Sequence, residues 1–264
     1  MTRRAGKPPP RTGGKPDRRD VGQQVEGRRA VRELLVAGTR RVHDLWLSAD
    51  AENAPILDEI ADLARDANVK VRRVPGIEVD RKARTETPQG VVAFAAPLRT
   101  FELDDVLAVP AAFVVAVEGV TDPQNLGAVL RSAEALGASA AVLPRHRAVG
   151  ITPAVTKAAA GAIEHLPIAF VSGIPNALEQ AKRAGVWCVG LDASGDTSIF
   201  DVAVADQALV LVLGAEGRGL TRLARTRCDV VASIPMQGHV ESLNVSAAAA
   251  IACAAIARSR AASA

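Results

Sequence analysis

Aromatic residues are scarce in this chain: they make up 3% of 264 residues, and tyrosine is absent. The core must therefore be assembled from Val, Leu, Ile and Ala, and a surface that stacks nucleobases on Tyr and Phe is disfavoured. Cysteine is scarce as well. Cys188, Cys228 and Cys253 are odd in number and widely spaced, without a CxxC pair or a Cys/His cluster, so neither a disulfide framework nor a metal site is suggested. Buried, reduced thiols in a cytoplasmic protein are the expectation. The N-terminus carries charge and proline without an apolar centre and does not read as a secretory signal. The most apolar stretch, Val245 to Ala257, reads as too short and too Ala-rich to span a bilayer, so no membrane is expected. No Ser/His/Asp order, paired-carboxylate motif or metal-ligand spacing is present.

What the chain does have is a 48% hydrophobic composition, typical of a globular protein with a developed core, and a net charge of +3. That charge is unevenly placed. Residues 1–20 hold seven basic residues (Arg3, Arg4, Lys7, Arg11, Lys15, Arg18, Arg19) against Asp17 and Asp20, a local +5, which leaves 25 basic and 27 acidic residues, or −2, for the remainder. With Pro8-Pro9-Pro10 and Gly13-Gly14, this stretch reads as a disordered basic tail, either simply solvated or a loose electrostatic tether for phosphates.

Beyond the tail, two α/β units are expected. In the first, residues 22–97, helical spacing places Ala30, Val31, Leu34 and Leu35 on one face, closed by Gly38, and a second amphipathic helix covers Ala54–Ala67. Strands are predicted at Val42–Leu47, Val69–Val74 and Gly90–Ala95. Residues 98–111, with Pro110, read as a linker. From residue 112 to 264, apolar strands (Phe113–Val117, Ala140–Leu143, Ile168–Val171, Val186–Leu191, Leu209–Leu213, Val230–Ile234) alternate with helices (Gln124–Leu136, Pro153–Ala160, Pro175–Ala184, Ser246–Arg258). Alternation of this kind predicts a mostly parallel sheet covered by helices on both faces.

Ligands of such sheets bind beyond the carboxyl ends of the strands, and three segments leave strands there with unusual polar residues. The first runs Glu118 to Arg131, with Asp122 or Thr121 as helix cap, Pro123 in the first turn and Asn125 one turn in. By spacing alone, Arg131 reads as a solvated helix residue. The second, Leu213-Gly214-Ala215-Glu216-Gly217-Arg218-Gly219-Leu220, places three glycines after an apolar strand, the mark of a tight turn or of a closely approaching ligand. It is neither a dinucleotide fingerprint nor a P-loop. The third, Ile234 to Ser246, crowds Ser242, Asn244 and Ser246 around a helix entry, as a capping cluster does. His239 reads as exposed or structural.

Together, DPQNLGAVLRSAEALG, LGAEGRGL and IPMQGHVESLNVSAAAAI resemble, in order and spacing, the three motifs of the SpoU family of RNA 2′-O-ribose methyltransferases within the SPOUT superfamily. The resemblance is closest to the ribosomal-RNA guanosine type. It implies a C-terminal trefoil knot, a homodimer and S-adenosylmethionine held by Leu213, Gly214, Glu216, Gly217, Ile234, Pro235, Met236 and Leu243. It implies a reactive site of Asn125, Arg131, Glu216, Ser242 and Asn244. Residues 22–97 resemble the substrate-binding domain of ribosomal-RNA members, through Val25-Glu26-Gly27-Arg28-Arg29-Ala30-Val31 and Thr87-Pro88-Gln89-Gly90-Val91. Where many relatives have His before Gln-Gly, this chain has Pro88. The activity so implied is methylation of 23S ribosomal RNA, with transfer RNA as the alternative substrate and a non-catalytic RNA-binding assembly factor as the alternative role.

A guanidinium stays protonated in protein settings. Arg131 is therefore expected to act as a fixed cation that binds phosphate and stabilises developing alkoxide charge. Glu216 either orients the amides of its own loop or contacts the ribose.

Overall fold

The structure, a computed structural model, describes residues 23–51, 54–146, 148–215, 217–240 and 242–263. The basic tail 1–20 and Glu216 lie outside the described residues.

The first unit comprises β1 (Gln24–Glu26), α1 (Arg28–Ala37), β2 (Val42–Ser48), α2 (Pro55–Asp66), β3 (Val71–Val74), α3 (Gly76–Lys82) and β4 (Val91–Ala95). Its sheet has the order β1-β4-β2-β3, with β2 and β3 parallel and the other pairs antiparallel. The apolar face of α1 buries Ala30, Val31, Leu34 and Leu35, and the helix stops at Gly38, whose φ of 58° lets its N–H reach back to the Leu34 carbonyl. Opposite, Leu45, Leu47, Val91 and Ala93 project from the strands onto Val31, Leu34, Leu57 and Ile60. Burying each large aliphatic side chain here contributes roughly 1.5–3 kcal/mol. β1 and α3 carried no signal read from the sequence.

Residues 98–111, read as a linker, instead contain β5 (Thr100–Phe101) and α4 (Leu103–Leu107). β5 runs parallel to a strand of the larger sheet, pairing Thr100 with Ile168 and Phe101 with Ala169. The second unit continues with β6 (Phe113–Val117), α5 (Pro123–Ala135), β7 (Ala140–Pro144), α6 (Pro153–Ala158), β8 (Ile168–Val171), α7 (Ile174–Arg183), β9 (Trp187–Leu191), β10 (Thr197–Ser198), β11 (Leu209–Leu213), α8 (Arg222–Arg227), β12 (Val230–Ser233) and α9 (Val245–Ser263). The eight strands form one parallel sheet ordered β10-β12-β9-β11-β6-β7-β8-β5. Both faces are covered, which is why its strands are unbroken apolar runs. Along β6, Phe113, Val115 and Val117 enter a core with α5 and α9, while Val114 and Ala116 enter a second core with α7 and α8.

Two sequence expectations need correction. The apolar stretch judged too short for a bilayer belongs to a 19-residue helix, α9, which by length and composition is long and apolar enough to cross a membrane. Its buried residues Val245, Ala249, Ala252, Cys253 and Ile256 pack into the core beside α5. Cys188 and Cys253 are buried as expected, but Cys228 is only half-buried; burial pushes all three thiols up to about 12.

The two units meet along α1, the β1 end and the segment following α6. Arg40, just beyond α1, donates from Nε and Nη2 to both carboxylate oxygens of Glu164, at 2.9 and 2.5 Å, and from Nη1 to the Ala96 carbonyl at 2.9 Å. Both side chains are almost fully buried. Glu33 of α1 faces His165 at 3.2 Å, and Lys157 Nζ donates to the Thr87 carbonyl oxygen and hydroxyl.

Candidate active site

The carboxyl ends of β9, β11 and β12 are adjacent in the sheet, so the loops that follow them converge. Between these loops lies a cavity of about 410 Å³, lined by Leu213, Gly214, Gly217, Ile234, Met236 and Leu243 among the residues expected to hold a cofactor. Pro235 is exposed and is not in the cavity wall. Ser242, expected in the reactive site, lines this same cavity.

The glycine loop has its shape for steric reasons. Ala215 and Gly219 exchange hydrogen bonds, N–H to carbonyl at 3.1 Å and 2.9 Å, which closes the loop on itself. A Cβ on Gly214 would sit 2.2 Å from the Gly219 carbonyl carbon, so the two backbones touch where a side chain has no room. Gly219 adopts φ +62°, and a Cβ there would press on the Asp192 carboxylate at 2.6 Å. Glu118, at the end of β6, steadies the loop's far side by accepting from the Thr221 N–H and hydroxyl, both at 3.0 Å.

Asp192, Ser194 and Arg218 also line the cavity and were not singled out from the sequence. Asp192 accepts from Ser194 N at 3.0 Å, Leu220 N at 3.2 Å and Arg225 Nη1 at 3.1 Å. Burial pushes its carboxyl up, but the hydrogen bonds from Ser194 and Leu220 and the charge of Arg225 outweigh this and hold it below the usual carboxylate range. A signal for these residues existed: Leu191-Asp192-Ala193-Ser194-Gly195 is a polar turn directly after an apolar strand, at the same sheet edge as the other three segments.

The remaining reactive-site candidates divide. Asp122, rather than Thr121, caps α5 by accepting from Gln124 N at 3.1 Å, with Pro123 in the first turn. This sets Asn125 facing the entry of α9, where Asn125 Oδ1 accepts from Asn244 Nδ2 at 3.0 Å. Asn244 Oδ1 accepts from the Ser246 N–H and hydroxyl at 2.8 and 2.6 Å, so this residue also caps α9. The structure thus joins Asn125 to Asn244 and places Ser242 two residues away on the cavity wall. Arg131 is not in that cavity. It is exposed on α5 and lines a separate cleft of about 590 Å³ between the two units. His239 is exposed.

The walls of the 410 Å³ cavity suit a ligand with both an apolar and a polar part: Leu191, Leu213 and Ile234 are apolar, while Asp192 and Ser194 are polar. Its size falls in the range of ordinary small-molecule sites, ~300–1,000 Å³.

Residues 112–254 match the model of the SpoU rRNA Methylase family, and residues 24–101 match that of the RNA 2′-O ribose methyltransferase substrate-binding domain. An uncharacterized tRNA/rRNA methyltransferase of Mycobacterium ulcerans is 38% identical over 247 residues, covering 92% of this chain and 79% of that protein. Among solved structures, the SpoU methyltransferase AviRb from Streptomyces viridochromogenes, in complex with AdoMet, has a TM-score of 0.75 at 26% identity and covers 90% of each chain. The A. aeolicus TrmH/SpoU tRNA-modifying enzyme has a TM-score of 0.52 at 25% identity and covers 61% of this chain and 82% of that one.

Proposed function

This chain belongs to the SpoU rRNA methylase family and is an S-adenosylmethionine-dependent RNA 2′-O-methyltransferase, and we propose that its substrate is ribosomal RNA, with a guanosine of the 23S molecule as target. The observation that carries the choice of substrate is the unit at residues 24–101, which matches a substrate-binding domain. The A. aeolicus tRNA-modifying neighbour overlaps only 61% of this chain, whereas an AdoMet-bound rRNA methyltransferase from Sinorhizobium meliloti overlaps 89%. We take residues 22–97 as the RNA-binding domain and 112–264 as the methyltransferase domain.

The cavity beside the glycine loop is the proposed cofactor site, with Leu213, Gly214, Gly217, Ile234, Met236 and Leu243 as its cradle. S-adenosylmethionine supplies an electrophilic methyl group on a sulfonium. The protein's part is to hold a ribose 2′-oxygen in line with it, and such near-attack positioning is worth up to about 7–11 kcal/mol in favourable cases. Ser242 on the cavity wall, with Asn125 and Asn244 tied together behind it, forms the proposed ribose-facing side. Arg131 stays charged and stabilises phosphate and developing alkoxide; the hydroxyl proton leaves to water or a neighbouring group.

Arg131 and the cofactor cavity lie in separate clefts of one chain, and Met236, Val240 and Leu243 are exposed apolar residues on the loop between β12 and α9. Both features support a homodimer in which a second copy covers this loop and completes the reactive site. The strand order, with β11 between β9 and β6 and β12 outside β9, supports a knotted C-terminal segment. We place the reaction in the cytoplasm. Mass mapping of 2′-O-methylated nucleotides in RNA from a deletion strain tests the substrate: loss of one mark from 23S RNA is expected, and loss from tRNA alone would overturn it.

A further inference from the structure

Several side-chain cations along the two units are matched to carboxylates. Arg32 pairs with Glu33 and Glu59, Arg72 with Asp44, Lys182 with Asp229, Arg225 with Asp192 and Arg227 with Glu179. The interdomain cleft carries no such pair in its wall. Its wall carries Arg28 and Arg29 from α1, Arg131 from α5 and Lys157 from α6, and no Asp or Glu.

None of these four cations has a carboxylate partner among the described residues. Arg28 Nε donates to the Gln89 carbonyl at 3.0 Å, and Lys157 donates to Thr87. Those acceptors are neutral, so they fix the two side chains without cancelling their charge. Arg29 and Arg131 are exposed. The close approach of the units is built in: Gly27 has φ +89°, and a Cβ there would lie 2.9 Å from Lys157 Cγ. The adjoining cavity of about 560 Å³ shares Arg29 and Arg131 and adds Arg32, His165, Glu33 and Glu134, so carboxylates first appear beyond this edge of the cleft.

Four like charges around one cleft repel one another unless an anion enters, and a phosphodiester backbone is the anion a methyltransferase of RNA presents. We propose that the interdomain cleft grips the phosphodiester backbone of the RNA strand beside the target nucleotide, with Arg29 and Arg131 as the two free guanidinium groups, one from each unit. This rests on the RNA-methylating function given above. It assigns Arg29 as an RNA-binding residue on the substrate-binding unit and makes the cleft a single grip formed by both units.

The test uses the full-length protein and an in vitro transcript of 23S RNA. Filter-binding affinity is measured across a salt series for wild type, Arg29→Ala, Arg29→Glu and Arg29→Lys, with Arg183→Glu, an exposed arginine at the end of α7 outside the cleft, as control. S-adenosylmethionine binding by titration calorimetry runs alongside as a fold check. Expected are a roughly tenfold or greater loss of RNA affinity for Arg29→Glu and a slope of log affinity against log salt shallower by about 0.7–0.9 for Arg29→Ala. Arg29→Lys should stay near wild type, and cofactor affinity should be unchanged throughout. Wild-type affinity and slope in Arg29→Glu, or equal losses in Arg29→Glu and Arg183→Glu, would overturn the proposal. Failure of the substrate reading looks different: wild type would then leave 23S RNA unmethylated while the Arg29 variants still weakened RNA binding.

Discussion

Replacing Glu164 by Leu removes the carboxylate from the buried pair that joins the two units. The structure sets the magnitude. The side chains of Arg40 and Glu164 are 4% and 1% exposed, so water cannot replace the lost partner, and of the hydrogen bonds described above Arg40 keeps the one to Ala96. Breaking a buried pair from one side costs about 3–5 kcal/mol, whereas replacing both partners with apolar residues is often neutral or better. With urea slopes of about 1–3 kcal/mol per M, the single variant should unfold at a midpoint lower by about 1–5 M. The Arg40→Met/Glu164→Leu pair should recover most of that loss.

The chain carries its own reporters, because its two tryptophans sit in different units, Trp46 in β2 and Trp187 in β9. Trp187→Phe leaves fluorescence that reports on the first sheet, and Trp46→Phe leaves a signal from the second. In the Glu164→Leu background the Trp46 transition should move to lower urea than the Trp187 transition, since the joint no longer couples them. An unchanged midpoint, or a double variant that loses the sum of both single losses, would refute the argument that the joint depends on this pair.

Gly214→Ala should abolish S-adenosylmethionine binding in calorimetry, because its methyl group would meet the Gly219 backbone at 2.2 Å; at Gly217, where nothing lies within 4 Å, the same change should bring only the strain of φ +69°, about 1 kcal/mol. The depressed Asp192 carboxyl stabilises the cavity above the ordinary carboxylate value, and that contribution is lost as pH falls through the lower folded value. Melting temperature should therefore drop along an acid limb that is shallower in Asp192→Asn, and identical limbs would contradict this. Arg131→Lys should retain part of the methyl-transfer rate and Arg131→Ala almost none, measured under single-turnover conditions.

The second unit was legible because its strands are buried on both faces. Runs such as Phe113–Val117 and Leu209–Leu213 have no competing pattern, and the observed bounds coincide with those read from the sequence. The short edge elements were hidden: β5 and β10 have two residues each, too few for periodicity, and they exist through pairing with β8 and β12. α9 was read as shorter than it is because Ala-rich helices have no polar face to mark their ends. Part of the site was legible in its residues but not in its arrangement. Gly214, Ile234 and Leu243 meet in one cavity and Asn125 meets Asn244, yet nothing in the sequence places Arg131 in a different cleft beside Arg29. That juxtaposition depends on how the two units dock, through Arg40 with Glu164, 124 residues apart, and Lys157 with Thr87, 70 residues apart, contacts that form no local pattern.

The central claim is methyl transfer to an RNA ribose, and its most direct measurement uses purified full-length protein, labelled S-adenosylmethionine and separate 23S RNA and tRNA transcripts, followed by nuclease digestion and mass spectrometry of the nucleosides. The account predicts label in 2′-O-methylguanosine from 23S RNA, lost in Arg131→Ala. Label on a base rather than a ribose, or none on either RNA while the cofactor still binds, would contradict it.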